Sequence, residues 1–369
     1  MKPSQIVIGC GFGDEGKGKV VSYLCSHSKN PLVIRFCGGH QAGHHVVLSN
    51  KLDHVFSNFG SGALQGFDSY WSQFCTVDPV GILNELDVLK TKGVDPVLYL
   101  NECCPVTTCL EKVANKNNAA TREHGTCGVG IGQTFKREED HHSLLVKDLY
   151  NPTVLKIKMQ LLSTYYGFDD GIKGFLSHCQ ELVETKSIIK VSKMPDIDKC
   201  AYDRFIFEGS QGLLLDQNIG FFPHVTRGNT GTINPSTLEG VGPADIYVVT
   251  RAYQTRHGNG PMTNEMLPHR IDTNPYEQNF DSGFQGKFRR SLLDLDLLRY
   301  AVQSDYLLTR LKFTLVITCL DLVVNHYALT YDGSLHIFKT QDEFVAKIKK
   351  ELGAERVLLS TSPLPLMSV

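Results

Sequence analysis

Residues 5–19, Gln5-Ile-Val-Ile-Gly-Cys-Gly-Phe-Gly-Asp-Glu-Gly-Lys-Gly-Lys19, set closely spaced glycines among two lysines and two carboxylates. Glycines at this density let a turning backbone point its N–H groups inward and approach phosphate oxygens without Cβ clashes. Lys17 adds a point charge, so Gly13, Glu15, Gly16, Lys17 and Gly18 are candidates for the loop that holds a donor nucleotide's phosphates. From Gly11 to Lys17 the spacing fits G-x-x-x-x-G-K, but Gly18 follows where a P-loop carries the Mg²⁺-binding Ser or Thr. Asp14 is the candidate compensation. An acidic side chain in an anion-binding loop repels phosphate unless it holds a metal ion or takes a proton from the substrate. The bland alternative is a cap on the following helix, Val20–Leu24.

A second cluster closes the apolar run Pro31–Cys37: Gly38-Gly-His-Gln-Ala-Gly-His-His45 packs three histidines into one turn. A surface turn has little use for three imidazoles, so Gln41, Gly43, His44 and His45 join the candidates; a histidine-rich loop with weak metal affinity is the alternative. In Glu123-His-Gly-Thr-Cys-Gly-Val-Gly-Ile-Gly-Gln-Thr134, Thr126 and the backbone N–H groups can cradle a second phosphate. Gln211, at the glycine-rich end of Phe205–Asp216, can read a base edge or orient a water. Thr226 lies in the donor-rich turn 222–231, and His257 in Thr255-Arg-His-Gly-Asn-Gly-Pro261. Lys287 and Arg289 belong to the basic turn Gln285–Arg290, suited to a carboxylate or phosphate. Asp321 ends the run Phe313–Asp321 as a carboxylate that can grip a nucleotide base.

These turns need a scaffold. Ile6–Ile8, Pro31–Cys37, Tyr70–Val77, Pro96–Leu100, Arg204–Phe207, Ile246–Arg251 and Phe313–Asp321 read as buried strands, with helices at Val20–Leu24, Gly81–Leu89 and Asn151–Leu162. The alternation predicts an α/β fold: a mostly parallel central sheet flanked by helices, carrying a modified P-loop. Ligands in such sheets sit beyond the carboxyl ends of the strands, which puts both glycine loops on one rim. Lys136–His142 reads as a solvated helix or loop, and 269–284 as a polar stretch. No repeat, low-complexity run or linker divides residues 1–369, which predicts a single domain with a small C-terminal subregion near 325–361.

Composition bounds the function classes. The 369 residues are 41% hydrophobic and 21% charged with a formal net charge of −2, so no general attraction to nucleic acid is expected. No apolar run reaches the roughly 18 residues of a membrane span, and the N-terminus leads straight into a strand, which predicts a cytoplasmic protein without a membrane partner. The 11 cysteines are scattered and read as reduced core residues. Cys103, Cys104 and Cys109 lack the paired spacing of a zinc site.

The ordered set GDEGKGK at 13–19, GGHQAGHH at 38–45, HGTCGVGIG at 124–132, FEGSQG at 207–212, PHVT at 223–226, TRHGNGP at 255–261, QGKFRR at 285–290 and TCLD at 318–321 resembles the adenylosuccinate synthetase family. The resemblance implies a Mg²⁺-dependent ligase. It would use a nucleoside triphosphate, ATP or GTP, to phosphorylate the 6-oxygen of a purine nucleotide, then displace that phosphate with the amine of L-aspartate. Asp14 would be the general base at N1 and a metal ligand, and His44 the acid that stabilises charge on the transferring phosphoryl group. Lys17 would hold donor phosphates, the Gly43 carbonyl would join the metal, and Gln211 would join the catalytic set. Gly13, Glu15, Gly16, Gly18, His45 and Asp321 would meet the donor; Gln41, Thr126, Thr226 and His257 would meet the acceptor. Lys287 and Arg289 fall where the family uses arginines for aspartate and ribose. A homodimer is implied, with a partner-subunit arginine at the acceptor phosphate whose place in this chain falls on His142.

The departures concern substrate choice. Cys319 stands where the family commonly has a lysine, removing an aliphatic stem that would cover a guanine base beside Asp321. Gln41 replaces an asparagine, His45 a threonine and His257 a valine, and an arginine run has become Lys287-Phe288-Arg289-Arg290. Changes around the acceptor's ribose and phosphate, with the short chain, resemble the archaeal and phage branch, whose phage members join aspartate to dGMP. The leading expectation is an ATP-dependent ligase giving N6-succino-2-amino-2'-deoxyadenylate from dGMP, ahead of ordinary adenylosuccinate synthesis from IMP with GTP. A nucleotide-binding regulator without ligase chemistry is the reading from another class.

Overall fold

In the computed structural model, which describes residues 2–117, 128–194, 201–238, 241–274, 277, 286–362 and 367–368, the strand Lys2–Gly9 runs through the middle of a 10-stranded sheet. Arg204–Gly212 and Val241–Arg251 flank it, both parallel. Beyond the first lie Pro31–Arg35, Ser69–Trp71, Leu98–Asn101 and Ile188–Val191; beyond the second lie Phe313–Thr318, Arg356–Leu359 and an antiparallel edge, Met367–Ser368. The mostly parallel α/β architecture expected from the alternation of strands and helices is the one observed.

A strand between parallel neighbours is covered on both faces, so it is apolar at successive positions and not only at alternate ones. Ile6 and Ile8 pack with Leu295, Leu298 and Ala301 of helix Leu295–Ser304 and with Phe344 and Ile348 of helix Gln341–Leu352. Val7 packs on the other face with Val20, Val21 and Leu24 of helix Lys17–Ser26. A further cluster joins Trp71, Leu98 and Leu100 to helices Pro79–Thr91, Pro152–Tyr166 and Ile172–Glu184. Each fully buried Ile or Val contributes about 1.5–3 kcal/mol. A slip of the central strand by one residue would exchange its two faces, so the packing fixes where the loop after Gly9 begins.

A second sheet joins Tyr253–His257, Phe288–Asp294, Tyr327–Tyr331 and Ser334–Phe338, and a hairpin pairs His44–Val47 with Asp53–Phe56. Here the structure differs from the expected turns. His44 and His45 are drawn into a strand by the β-branched Val46 and Val47. The basic segment expected as a turn at Gln285–Arg290 is strand from Phe288 onward, with Arg289 opposite Arg256. Gln285 itself lies outside the described residues. The run expected to reach Asp321 stops at Thr318, because Cys319 takes a left-handed φ of 58° and turns the chain into a 3-10 segment, Leu320–Leu322. Among the described residues, no helix is long and apolar enough to cross a membrane.

Candidate active site

After Gly9 the chain wraps around one of its own carboxylates. Glu15 Oε1 accepts from the N–H of Gly11 at 2.9 Å and of Gly13 at 3.1 Å, while its Oε2 meets Lys17 Nζ at 2.9 Å. A Cβ on Gly9 would come within 2.2 Å of Glu15 Oε2, so the strand must end in glycine for the carboxylate to fit. Two of the loop's N–H groups therefore serve Glu15 in this structure. Helix Lys17–Ser26 begins at Gly16 with no side-chain cap, which removes the reading of Asp14 as a capping residue.

The helix start also explains the missing P-loop hydroxyl. A Cβ on Gly18 would lie 2.8 Å from both His44 Cβ and Ser61 Oγ. Position 18 has no room for Ser or Thr because the histidine hairpin packs directly against it.

His44 is buried and held from behind. Its Nδ1 lies 2.5 Å from Oε1 of Glu208, which also accepts from Ser61 N–H at 3.0 Å and from the Ser61 hydroxyl. Burial pushes Glu208 up, but His44, Arg35 and Ser61 outweigh it and hold its pKa down at about 2. An ionised carboxylate only accepts, so Nδ1 carries the proton. Nε2 has no partner among the described residues. Burial lowers the His44 pKa against the opposing pull of Glu208, which leaves the resting imidazole neutral.

Asp14 lies between Gly13 and Gly16 in the same loop, at a φ of 57°. Its backbone carbonyl accepts from Arg251 Nε at 2.5 Å, and Arg251 is anchored in turn by Tyr253 and Glu277. Its carboxylate has no hydrogen-bond or ion-pair partner among the described residues. Burial raises its pKa, opposed by Arg251 and Lys17. The result is an acid group that favours whatever brings it a cation or a proton.

A cavity of about 770 Å³ opens at this rim, and most of the residues singled out by sequence line it. Asp14, Glu15, Gly16, Lys17 and Gly18 supply one wall, with Gln211 beside them. Gln41, Gly43, His44 and His45 supply a second. Thr226 and His257 also line the cavity, as do Asp321, Cys319, Ser360 and Ser362. There Lys19 donates to Ser360 Oγ and the Ser362 carbonyl, and burial brings its pKa down to about 8 despite Cys319 and Asp321.

Several expected residues are placed otherwise. Gly13 is buried behind the wall and does not line the cavity. Lys287 is exposed, and neither it nor Arg289 lines the cavity. Arg289 instead meets both oxygens of Glu265 at 3.1 and 3.0 Å and donates to the carbonyls of Gly258 and Gly260, because strand pairing turns it onto its own neighbourhood. The His142 ring packs on Tyr165, with centroids 4.4 Å apart, and is also absent from the wall. Thr126 lies outside the described residues. Sequence reasoning missed Glu208 and Arg251 as partners of His44 and Asp14. The available signal was a carboxylate inside an apolar strand, which is too costly to bury without a dedicated partner.

The chain matches the adenylosuccinate synthetase family over residues 6–355. It is 31% identical over 344 residues to adenylosuccinate synthetase 1 of Pseudoalteromonas translucida, spanning 84% of this chain and 78% of that one. It is 32% identical over 337 residues to the adenylosuccinate synthetase of Shewanella frigidimarina, spanning 84% and 77%. Among solved structures, the fully ligated adenylosuccinate synthetase of Plasmodium falciparum superposes with a TM-score of 0.83 at 18% identity, covering 100% of this chain and 99% of that one. A cyanophage S-2L succinoaminodeoxyadenylate synthetase bound to dGMP and dATP superposes with a TM-score of 0.69 at 14% identity, covering 100% and 95%. At these identities the two superpositions speak to the fold alone.

Proposed function

The chain belongs to the adenylosuccinate synthetase family of carbon–nitrogen ligases driven by a nucleoside triphosphate, and from that premise we propose that it joins L-aspartate to IMP, with GTP as donor. The observation that carries the reading is the pairing of two unsatisfied groups in one cavity: the Asp14 carboxylate and the Nε2 of a His44 fixed by Glu208. A site that only bound nucleotide would need neither.

In this reading Asp14 removes the N1 proton of the purine, which makes the 6-oxygen a nucleophile toward the donor's γ-phosphorus. Lys17 faces the donor phosphates, and its link to Glu15 keeps it at the loop. The ionised Glu208 stabilises a second proton, taken up from solvent, on the otherwise neutral His44 imidazole. That proton, on Nε2, meets the phosphoryl oxygen as charge develops. The nucleoside diphosphate leaves, the aspartate amine attacks C6, and inorganic phosphate departs from the same carbon. Gln211, beside Asp14 on the wall, orients the purine ring.

Mg²⁺, when bound, supplies charge neutralisation between the phosphates. The residues present fit it: a carboxylate without a protein partner, made less acidic by burial, is a suitable single oxygen ligand for a cation that takes its other ligands from phosphate and water. We assign that role to Asp14, with the Gly43 carbonyl as a second candidate ligand; both residues line the cavity.

The named relatives support IMP over the dGMP expectation drawn from the sequence. One observation keeps the dGMP and ATP reading as a second: Cys319, in a left-handed turn beside Asp321, offers no long stem to cover a guanine base. The deciding measurement is aspartate-dependent phosphate release with Mg²⁺ over a grid of ATP or GTP against IMP or dGMP. Fast release confined to IMP establishes the first reading, and fast release confined to dGMP overturns it in favour of the second.

A further inference from the structure

Among the described residues, the cationic side chains that line the cavity are Lys17, Lys19, Lys136, Arg227, Arg251 and Arg256. All but one are already matched within the protein. Lys17 meets Glu15, and Lys19 meets Ser360 and Ser362. Arg251 meets Asp14, Tyr253 and Glu277; Arg256 donates to the carbonyls of Pro261 and His224; Arg227 pairs with Glu139. Lys136 is exposed and has no hydrogen-bond or ion-pair partner among the described residues.

Its helix, Ile131–Glu139, buries Thr134 and Arg137 in the protein, while Ile131, Gly132, Gln133, Phe135 and Lys136 line the cavity. Two contacts clamp the helix to the loops on that side. The His40 ring nitrogen Nε2 lies 3.2 Å from the carbonyl of Val129, just before the helix and one residue from Gln41 in the other loop. Arg227, the neighbour of Thr226, pairs with Glu139. Lys136 therefore lines the cavity from a helix tied to the segments that carry Gln41 and Thr226.

We propose that Lys136 binds the 5'-phosphate of the acceptor nucleotide, so that this chain supplies the counter-charge for that phosphate itself. The proposal rests on reading the cavity as a purine nucleotide–aspartate ligase site. A phosphate dianion entering a half-closed cavity loses water and needs a cation in return. Among the described residues, Lys136 is the cavity cation with no protein partner, so it can meet a phosphate with its whole charge.

The test compares wild type, Lys136→Ala and Lys136→Arg. Binding of the purine monophosphate is measured by calorimetry, and steady-state kinetics are followed for all three substrates. Removing one charged contact should raise the acceptor's Kd and KM about 10- to 100-fold. The KM values for the triphosphate and for aspartate, and kcat, should stay within about twofold, and the arginine variant should remain close to wild type. An acceptor nucleoside lacking the phosphate should bind wild type and Lys136→Ala equally. An unchanged acceptor Kd in Lys136→Ala, or an equal loss for the phosphate-free nucleoside, overturns the assignment. Wild-type protein that releases no aspartate-dependent phosphate with IMP or dGMP overturns the ligase reading instead, a result the variants do not affect.

Discussion

On one side of the cavity, Glu15 ties together Gly11, Gly13 and Lys17, and Glu208 ties His44 to Ser61. Both carboxylates are buried, and both hold a side chain that lines the cavity, Lys17 and His44. Off the cavity, Arg289 is paired with a half-exposed Glu265 and two loop carbonyls. The chemistry explains the difference. Phosphoryl transfer gains most from dipoles that need no reorganisation as charge moves, so that wall is assembled in advance from buried contacts. A pair at the surface is worth about 1 kcal/mol or less.

Substitutions should separate the two regions. The largest loss is expected for Asp14→Asn, which suits the left-handed backbone of Asp14 but cannot accept the N1 proton. Turnover should fall by about 10³-fold or more while thermal unfolding is unchanged; near-normal turnover would remove Asp14 as the base. Glu208→Gln should lower kcat by about 10²-fold with KM values little altered, since it disturbs the tautomer and charge of His44 and not the binding surfaces. A loss confined to KM would make Glu208 a packing residue.

The same variant carries a pH signature. The Glu208 carboxyl is held near 2 in the folded protein, below its ordinary value of 4.5, so it contributes stability above that ordinary value and loses it as pH falls toward 2. Acid unfolding curves of Glu208→Gln should therefore be shallower across that interval than those of wild type. The smallest effect belongs to the pair off the cavity. Glu265→Gln should change stability by no more than about 1 kcal/mol, and a larger change would erase the contrast between the two regions.

How much of this was legible from residue types alone follows the same division. Gly9, Gly13, Gly16 and Lys17 announce a phosphate loop because backbone freedom and charge are local properties, and the apolar runs of Ile6–Ile8 and Ile246–Arg251 announce the strands that carry the rim. The grip of Glu208 on His44 was not legible, because it joins positions 164 residues apart that only the sheet order brings together. Arg289 misled for a related reason: a basic residue advertises its charge, not the partner that strand pairing will give it. Cys319 was visible as a change of side chain, but its left-handed backbone was not.

The sheet order also sets a schedule for synthesis. Lys2–Gly9 leaves the ribosome well before its two neighbours, which begin only at Arg204 and Val241, and the loop after it is closed by Thr318, whose hydroxyl bonds the Glu15 carbonyl at 2.7 Å. At about 5–20 residues per second, the strand waits on the order of ten seconds or more for its flanks. A nascent chain arrested before Thr318 carries the whole glycine motif and still cannot complete the loop, so the motif is made long before it is finished.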